Sequence, residues 1–597
     1  MKWTKYIKPY WFYYVLGPLC MIIEVIGEVL MPKFLSLIID YGLNEQSLEN
    51  APKIIKLIYS VAGGAPVYIV AIMVGMIITA ILMMLGGVGG AFFGARASVN
   101  FAADLREDIY RKVQGFSFAN IDKFSTGSLV TRLTNDVTQM QNFINMLLRM
   151  CLRSPGMLIG ALIMSITLNP SLTLVLAVTI PLLLISLLGI ITRGFSRFSR
   201  VQTKIDGLNS TVQESIVNMR VVKSFVREHG EIEKFGKSNK ELKESGLAAS
   251  GIMILLNPVM TFFMNVTTIV IVWFGGNMVI DNAMSIGDLT AFTTYVTQIL
   301  NSLMMVSMMF MMFSRAMASA RRIKEVMNEE YDITDRQFTQ EEQARLIQNG
   351  EIEFKNVSFR YYKNSEDAVL KDINLKIPAG KTVGIIGSTG CGKTTLVSLI
   401  PRLYDTDNGS VFIDGIDVKD YPLYNLREGI GMVLQKNVLF TGSVEDNLRW
   451  GDENATNDEI ISASKYSQSD GFINEMPQGY KTTLERGGAN VSGGQKQRLC
   501  IARALIKKPK ILILDDSTSA VDTATELEIR RAFKNELSGS TKIIIAQRIS
   551  SVREADIIVV MDNGIITGVG SHDELVKTNT EYREIYLSQV EEKEAKA

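Results

Sequence analysis

Apolar residues run in long uninterrupted blocks through the first half of the chain and in short, regularly interrupted blocks through the second. No Asp, Glu, Lys or Arg stands between Lys56 and Arg96, nor between Arg153 and Arg193. A helix rises about 1.5 Å per residue, so a membrane crossing takes about 20 mostly apolar residues. The second block is long enough for two crossings and is broken by a turn signal, Leu168-Asn169-Pro170-Ser171. Residues 245–280 and 289–314 each supply one more crossing. A segment from about Trp11 to Ile39 supplies another, although it contains Glu24, Glu28 and Lys33. The pattern predicts six membrane-spanning helices.

Lys and Arg placement orients them. Lys2, Lys5 and Lys8 precede the first span, and the segments 96–153 and 193–243 are rich in basic residues. The hairpin at Asn169 and the turn from Asp281 to Asp288 carry none. Both termini are therefore expected in the cytosol, in a multi-pass protein of the cell membrane. The two basic segments are longer than turns need to be and are expected to continue as helices beyond the bilayer.

A charged helix, Arg321-Arg322-Ile323-Lys324-Glu325, closes this half. The expected layout is a six-helix membrane domain over 1–325, a polar linker over 326–350, an α/β domain over 351–590 and a charged tail over 591–597. Within 351–590, short β-rich runs alternate with helical patterns, which implies a largely parallel sheet.

The 597 residues carry 62 basic and 62 acidic side chains. That balance argues against a nucleic-acid binder, which would need a basic face. Four cysteines (Cys20, Cys151, Cys391, Cys500) lack metal-ligand or disulfide spacing. The apolar segment after the basic N-terminus is too long for a cleaved signal and lacks a small-residue cleavage site. Only two histidines occur, His229 and His572.

Gly387-Ser388-Thr389-Gly390-Cys391-Gly392-Lys393-Thr394 fits the phosphate-binding pattern G-x-x-x-x-G-K-[ST]. It follows an apolar run, Val383-Gly384-Ile385-Ile386, and precedes Thr395-Leu396-Val397, so strand, loop and helix come in the required order. Glycines let backbone N–H groups close around phosphates, and a helix N-terminus adds a favourable dipole. Lys393 is expected to reach the β- and γ-phosphates of ATP, and the Thr394 hydroxyl to hold Mg²⁺. Ile511-Leu512-Ile513-Leu514-Asp515 reads as a buried strand whose terminal carboxylate suits the Mg²⁺ shell.

Val491-Ser492-Gly493-Gly494-Gln495 closely resembles the signature of ATP-binding cassette (ABC) proteins, with Val for the usual Leu. Further motifs follow in matching order. Tyr361 resembles the aromatic that stacks on adenine. Gln435, in Val433-Leu434-Gln435, resembles the Q-loop residue, which also faces the metal. Glu485-Arg486-Gly487 resembles a short exporter motif, and Ser519-Ala520-Val521-Asp522 matches the D-loop. In the first half, Phe124-Ser125-Thr126-Gly127-Ser128-Leu129 with Arg132 and Asp136 resembles the first cytosolic coupling region of ABC exporters. Val222-Lys223-Ser224-Phe225 with Glu228 and Phe235 resembles the second. The resemblance spans essentially the whole chain. It implies an all-α membrane domain followed by an α/β P-loop ATPase domain, working as one half of a dimer. Gly387 to Thr395 and Tyr361 would hold this chain's ATP, with Thr394, Gln435 and Asp515 toward Mg²⁺. Ser492, Gly493, Gly494, Gln495 and Asp522 would face the partner's ATP.

Two positions depart from the family pattern. After the Mg²⁺ aspartate a hydrolysing cassette carries Glu, which orients the attacking water; this chain has Asp516. The switch residue, usually His, is Gln547 in Ile545-Ala546-Gln547-Arg548. An amide contacts a phosphate but cannot carry the imidazole's charge or proton. Neither histidine lies in a nucleotide motif. The combination of Asp516, Gln547 and an intact signature resembles the degenerate-site subunit of bacterial heterodimeric multidrug exporters. Tolerated variation in a homodimer is the alternative.

For the substrate, Glu24 and Glu28 sit four apart on one helix face, and ionisable residues inside a membrane face a cavity or a partner. Met304, Met305, Met308 and Met312 form part of a methionine-rich stripe, an adaptable surface for apolar ligands. Small lipophilic cations are the leading substrate expectation. Structural pairing of the carboxylates and plain helix packing of the methionines are the alternatives. Two further readings stay open: an exporter or flippase for a lipid or peptide, and a regulatory ATP-binding subunit that gates permeation without productive turnover.

Overall fold

The computed structural model describes residues 1–44, 56, 60, 64–363, 367–517 and 521–594. Part of the second predicted span's approach, Ser519 and Ala520 of the D-loop, and the side chain of Met308 lie outside the described residues. The chain divides into two units: Met1–Val113 with Gly127–Asn328, and Gln114–Thr126 with Glu329–Ala597.

The first unit is helical. Its long elements are α1 (Trp11–Leu37), α2 (Ala65–Gln114), α4 (Val137–Leu168), α5 (Pro170–Val217), α6 (Glu228–Met253), which α7 (Leu256–Ile280) continues, and α8 (Ile286–Asn328); a short α3 (Phe118–Lys123) belongs to the second unit. Among the described residues, four helical stretches are long and apolar enough to cross a membrane: Ala65–Gln114, Thr126–Leu168, Pro170–Val217 and Glu228–Ile280. Helix α2 passes without a break from its apolar half into its basic half, as does α5.

Local chemistry sets the ends and seams. The turn signal at Asn169 is a helix junction: its Oδ1 accepts from Leu172 N at 3.0 Å and Pro170 opens α5, an N-cap followed by a preorganised first residue. Gly86, Gly90 and Gly94 lie buried one turn apart on α2. A Cβ on Gly86 would stand 2.7 Å from Cys20 O, and one on Gly90 would stand 2.4 Å from Met21 Cε. These glycines therefore let α1 and α2 approach closely, the usual device of membrane helices. At the start of α8, buried Asp40 accepts from Gly287 N (2.8 Å) and Ser285 Oγ (2.7 Å), while Lys33 pairs with Asp288 at 2.7 Å.

Among the described residues, the second unit holds two large sheets and a small two-stranded one that pairs Gly442–Ser443 with Thr483–Leu484. An antiparallel sheet has the order β2-β1-β4-β5, from β1 (Ile352–Phe359), β2 (Leu370–Ile377), β4 (Asn408–Ile413) and β5 (Ile416–Asp417). The larger sheet has the order β10-β9-β3-β8-β7-β6, built from β3 (Thr382–Gly387), β6 (Ile430–Val433), β7 (Ile511–Asp515), β8 (Thr541–Ile545), β9 (Ile557–Asp562) and β10 (Ile565–Gly570). All of its pairings are parallel except β9 with β10. Every residue of β7 and β8 is buried. Such strands, covered on both faces, need continuous apolar runs rather than alternation.

Candidate nucleotide site

Four neighbouring parallel strands deliver the chemistry. Strands β3, β8, β7 and β6 lie side by side, and each ends at a motif: the phosphate loop, Gln547, Asp515 with Asp516, and Gln435. The register pairs Ile545 with both Ile385 and Asp515, so these ends lie level. Ligands of open α/β sheets bind at the carboxyl ends of the strands. A cavity of about 380 Å³ opens there, lined by Tyr361, Val369, Thr389, Gly390, Gly392, Lys393, Thr394, Thr395, Gln435, Asp515, Asp516, Ile545 and Gln547.

The loop itself is shaped by backbone that side chains rarely adopt. Gly390 and Gly392 have φ of +86° and +99°, and a Cβ on Gly392 would stand 2.9 Å from Leu370 Cδ2. Helix α9 (Lys393–Ser398) begins immediately after Gly392. Lys393 Nζ donates to the carbonyls of Gly387 (2.9 Å) and Ser388 (2.7 Å), which holds the ammonium over the loop. Buried Cys391 packs beneath it, with Sγ 3.7 Å from the same Nζ.

Asp515 is 1 % exposed, and its Oδ2 is buried without a hydrogen-bond partner in the protein. Burial pushes its carboxyl above the usual aspartate range, opposed by a hydrogen bond with Thr394 and by the charge of Lys393. An orphaned buried acceptor beside a threonine hydroxyl and an ammonium fits a divalent cation on a polyphosphate.

Asp516 holds a left-handed backbone (φ +47°), a region Asp tolerates better than most residues. Gln547 Nε2 donates to its Oδ2 at 2.9 Å, and Gln435 also bonds the carboxylate. Burial raises the Asp516 carboxyl, while those two amides and Lys393 pull it back down.

Tyr361 is 41 % exposed at the mouth, and its hydroxyl meets Thr395 Oγ1 at 2.9 Å. Its ring stands edge-on to Phe359 and Tyr404, with centroids 5.0 and 5.2 Å away. Tyr404 was not singled out from sequence, because its relation to Tyr361 exists only in space. Val369, just before β2, and Ile545, the last residue of β8, also line the cavity.

The signature lies elsewhere. Ser492 caps helix α10 (Gly493–Ile506), its Oγ accepting from Gln495 N at 3.3 Å while Gln495 Oε1 accepts from Ser492 N at 2.9 Å. This capping box leaves Ser492 and Gly493 exposed at the helix N-terminus. Asp522 caps α11 (Thr523–Glu536) by accepting from Thr525 N at 3.0 Å.

In the helical unit, Arg153 pairs with both Glu24 (3.3 Å) and Glu28 (2.7 Å). The pair thus has a basic partner that the sequence reading had not assigned, although Glu24 Oε2 is buried without a hydrogen-bond partner. Met304 packs against the core shared by α4, α5, α7 and α8, Met305 is half-buried and Met312 is exposed.

Comparison with known proteins agrees with this architecture. A family model described as "ABC transporter transmembrane region" matches residues 14–303, and one described as "ABC transporter" matches residues 370–519. The chain is 37 % identical over 588 residues to the "Uncharacterized ABC transporter ATP-binding protein YfiB" of Bacillus subtilis (strain 168), covering 98 % of each chain. It is 33 % identical over 550 residues to an "ATP-dependent lipid A-core flippase" of Syntrophus aciditrophicus (strain SB), covering 92 % of this chain and 87 % of that one. The fold is also that of a bacterial Atm1-family ABC exporter with ATP bound, with a TM-score of 0.78 at 23 % identity over 96 % of this chain and 99 % of that one. A transmembrane region fused to one ATPase domain of ABC type, matched end to end by such relatives, places this chain in the ABC transporter family, with the fold of an ABC exporter.

Proposed function

We propose that this chain is one subunit of a heterodimeric exporter that uses ATP to expel lipophilic, drug-like compounds across the cell membrane. In this reading the chain crosses the membrane six times, and the basic segments keep both termini on the cytosolic side. Its own phosphate-loop site is degenerate, and its signature completes the productive site of a different half-transporter.

One observation carries this reading: the 2.9 Å hydrogen bond from Gln547 to Asp516. The carboxylate that would orient an attacking water is one methylene shorter than glutamate and is already held by the switch residue's amide. Displacement of a reacting group by about 1 Å can cost about a hundredfold in rate. Gly387, Ser388, Thr389, Gly390, Cys391, Gly392, Lys393, Thr394 and Thr395 cradle the phosphates of ATP and Tyr361 supports the adenine. Thr394, Gln435 and Asp515 face Mg²⁺. The bound metal supplies charge neutralisation at the phosphates. Ser492, Gly493, Gly494, Gln495 and Asp522 serve the ATP held by the partner. That intact signature speaks against a purely regulatory gating subunit, which would have no partner site to complete.

Glu24 and Glu28, with Met304, Met305, Met308 and Met312, are the proposed substrate contacts for lipophilic cations. Lipid is the second reading, favoured by the 33 % identity to a lipid A-core flippase. The deciding experiment measures ATP binding and ATP hydrolysis by the chain purified alone in lipid bilayers. Binding with negligible turnover is expected. Vigorous, cooperative turnover would instead make it a homodimer in which Asp516 and Gln547 suffice.

A further inference from the structure

Residues 114–126 leave the helical unit and join the nucleotide-binding unit. Short-range contacts hold them there. Asn120 Nδ2 donates to Glu330 O at 3.0 Å, Asp332 N donates to Asn120 Oδ1 at 3.2 Å, and Lys123 pairs with Glu329 at 2.8 Å. Within this segment, helix α3 presents Phe118 and Asp122 to one residue, Tyr404. The Tyr404 hydroxyl donates to Asp122 Oδ2 at 2.8 Å, and its ring lies 6.0 Å from that of Phe118. On its other side, Tyr404 stands perpendicular to Tyr361 (89°, centroids 5.2 Å apart), and the Tyr361 hydroxyl meets Thr395 of α9.

From this continuous set of contacts we infer that Tyr404 is a positioning residue for nucleotide binding: tethered by Asp122, it fixes the Tyr361 ring on which adenine stacks, so that α3 tunes affinity for the base and not for the phosphates. Edge-on aromatic pairs have a preferred geometry, so Tyr361 is held by Tyr404 and Phe359 as an oriented platform. Burial, and then Asp122, push the Tyr404 phenol above its usual range, so it stays a donor to the carboxylate at physiological pH.

The inference rests on Tyr361 as the adenine platform, and the test separates the two. With the full chain in lipid nanodiscs, Mg²⁺–ATP affinity is compared with Mg²⁺–tripolyphosphate affinity. Tyr404→Leu is expected to weaken ATP by about three- to tenfold, the worth of one aromatic pair, with tripolyphosphate unchanged. Asp122→Ala is expected to weaken ATP less, and to add nothing in a Tyr404→Phe background. Tyr361→Leu is the control. If Tyr361→Leu leaves the ratio of the two affinities unchanged, the platform reading falls and this inference with it. If Tyr361→Leu shifts the ratio but Tyr404→Leu does not, or lowers both affinities equally, the positioning role alone is overturned. Additive effects of Asp122→Ala and Tyr404→Phe would sever α3 from the site.

Discussion

Gln547 and Asp516, 31 residues apart in sequence, are hydrogen-bonded at 2.9 Å across the ends of neighbouring strands β8 and β7. Each is a departure from the hydrolysing pattern, and each occupies the other. Asp516→Glu lengthens the acid by one methylene toward the reacting phosphate, and Gln547→His frees it from the amide. Single-turnover hydrolysis by the double variant is expected to rise, by up to about a hundredfold, with ATP affinity little changed. An unaltered rate would remove the degenerate-site reading.

The phosphate loop offers a paired test of backbone strain against steric conflict. Gly390 and Gly392 both have positive φ, but a Cβ on Gly390 meets nothing within 4 Å, whereas one on Gly392 meets Leu370 Cδ2 at 2.9 Å. Gly390→Ala should cost only the left-handed conformation, about 1 kcal/mol. Gly392→Ala should cost more and weaken ATP binding further, read by thermal shift and equilibrium binding on the same samples.

If Asp515 holds Mg²⁺ as proposed, it must do so as the charged carboxylate, so protons compete with the metal. Burial raises this carboxyl's pKa, which moves the competition to higher pH than an ordinary aspartate would show. Mg²⁺-dependent ATP affinity is therefore expected to be full at alkaline pH and to decline as pH falls through the raised pKa. Asp515→Asn should abolish both the Mg²⁺ dependence and that part of the pH profile. A decline confined to the usual aspartate range would argue against burial as the controlling effect.

Asp136 is 2 % exposed and accepts from Ser319 Oγ at 2.9 Å and from Arg322 Nε at 2.8 Å. Arg322 is about half exposed, so water screens the pair and its loss is softened. Asp136→Ala should nonetheless destabilise the helical unit by about 1–3 kcal/mol through the donors left unmatched. Asp136→Asn should recover part of this in thermal unfolding of the membrane-embedded protein.

Arg153 pairs with both Glu24 and Glu28. If these carboxylates draw cationic substrate, Glu24→Gln with Glu28→Gln should reduce efflux of a lipophilic cationic dye while sparing an uncharged one. Equal efflux of both dyes in the variant would leave the carboxylates a structural role with Arg153.

The candidate nucleotide site was legible along the chain because its parts are local. A phosphate loop needs glycines, lysine and threonine within one turn, and a strand buried on both faces reads as an apolar run ending at Asp515. The signature was legible by its resemblance to ABC proteins, and the structure adds that its Ser492 and Gln495 form a capping box three residues apart. Charge-free blocks likewise marked the long helices, because lipid tolerates little else. What depends on distant residues had no such trace. Only the tertiary structure ties Gln547 to Asp516, sets Arg153 between Glu24 and Glu28, and carries residues 114–126 over to the nucleotide-binding unit with Tyr404. In each case the partner lies far off in sequence, and hydrogen bonds and ring contacts leave no periodicity behind them. Motif chemistry is a property of consecutive residues; who holds each group in place is decided by packing.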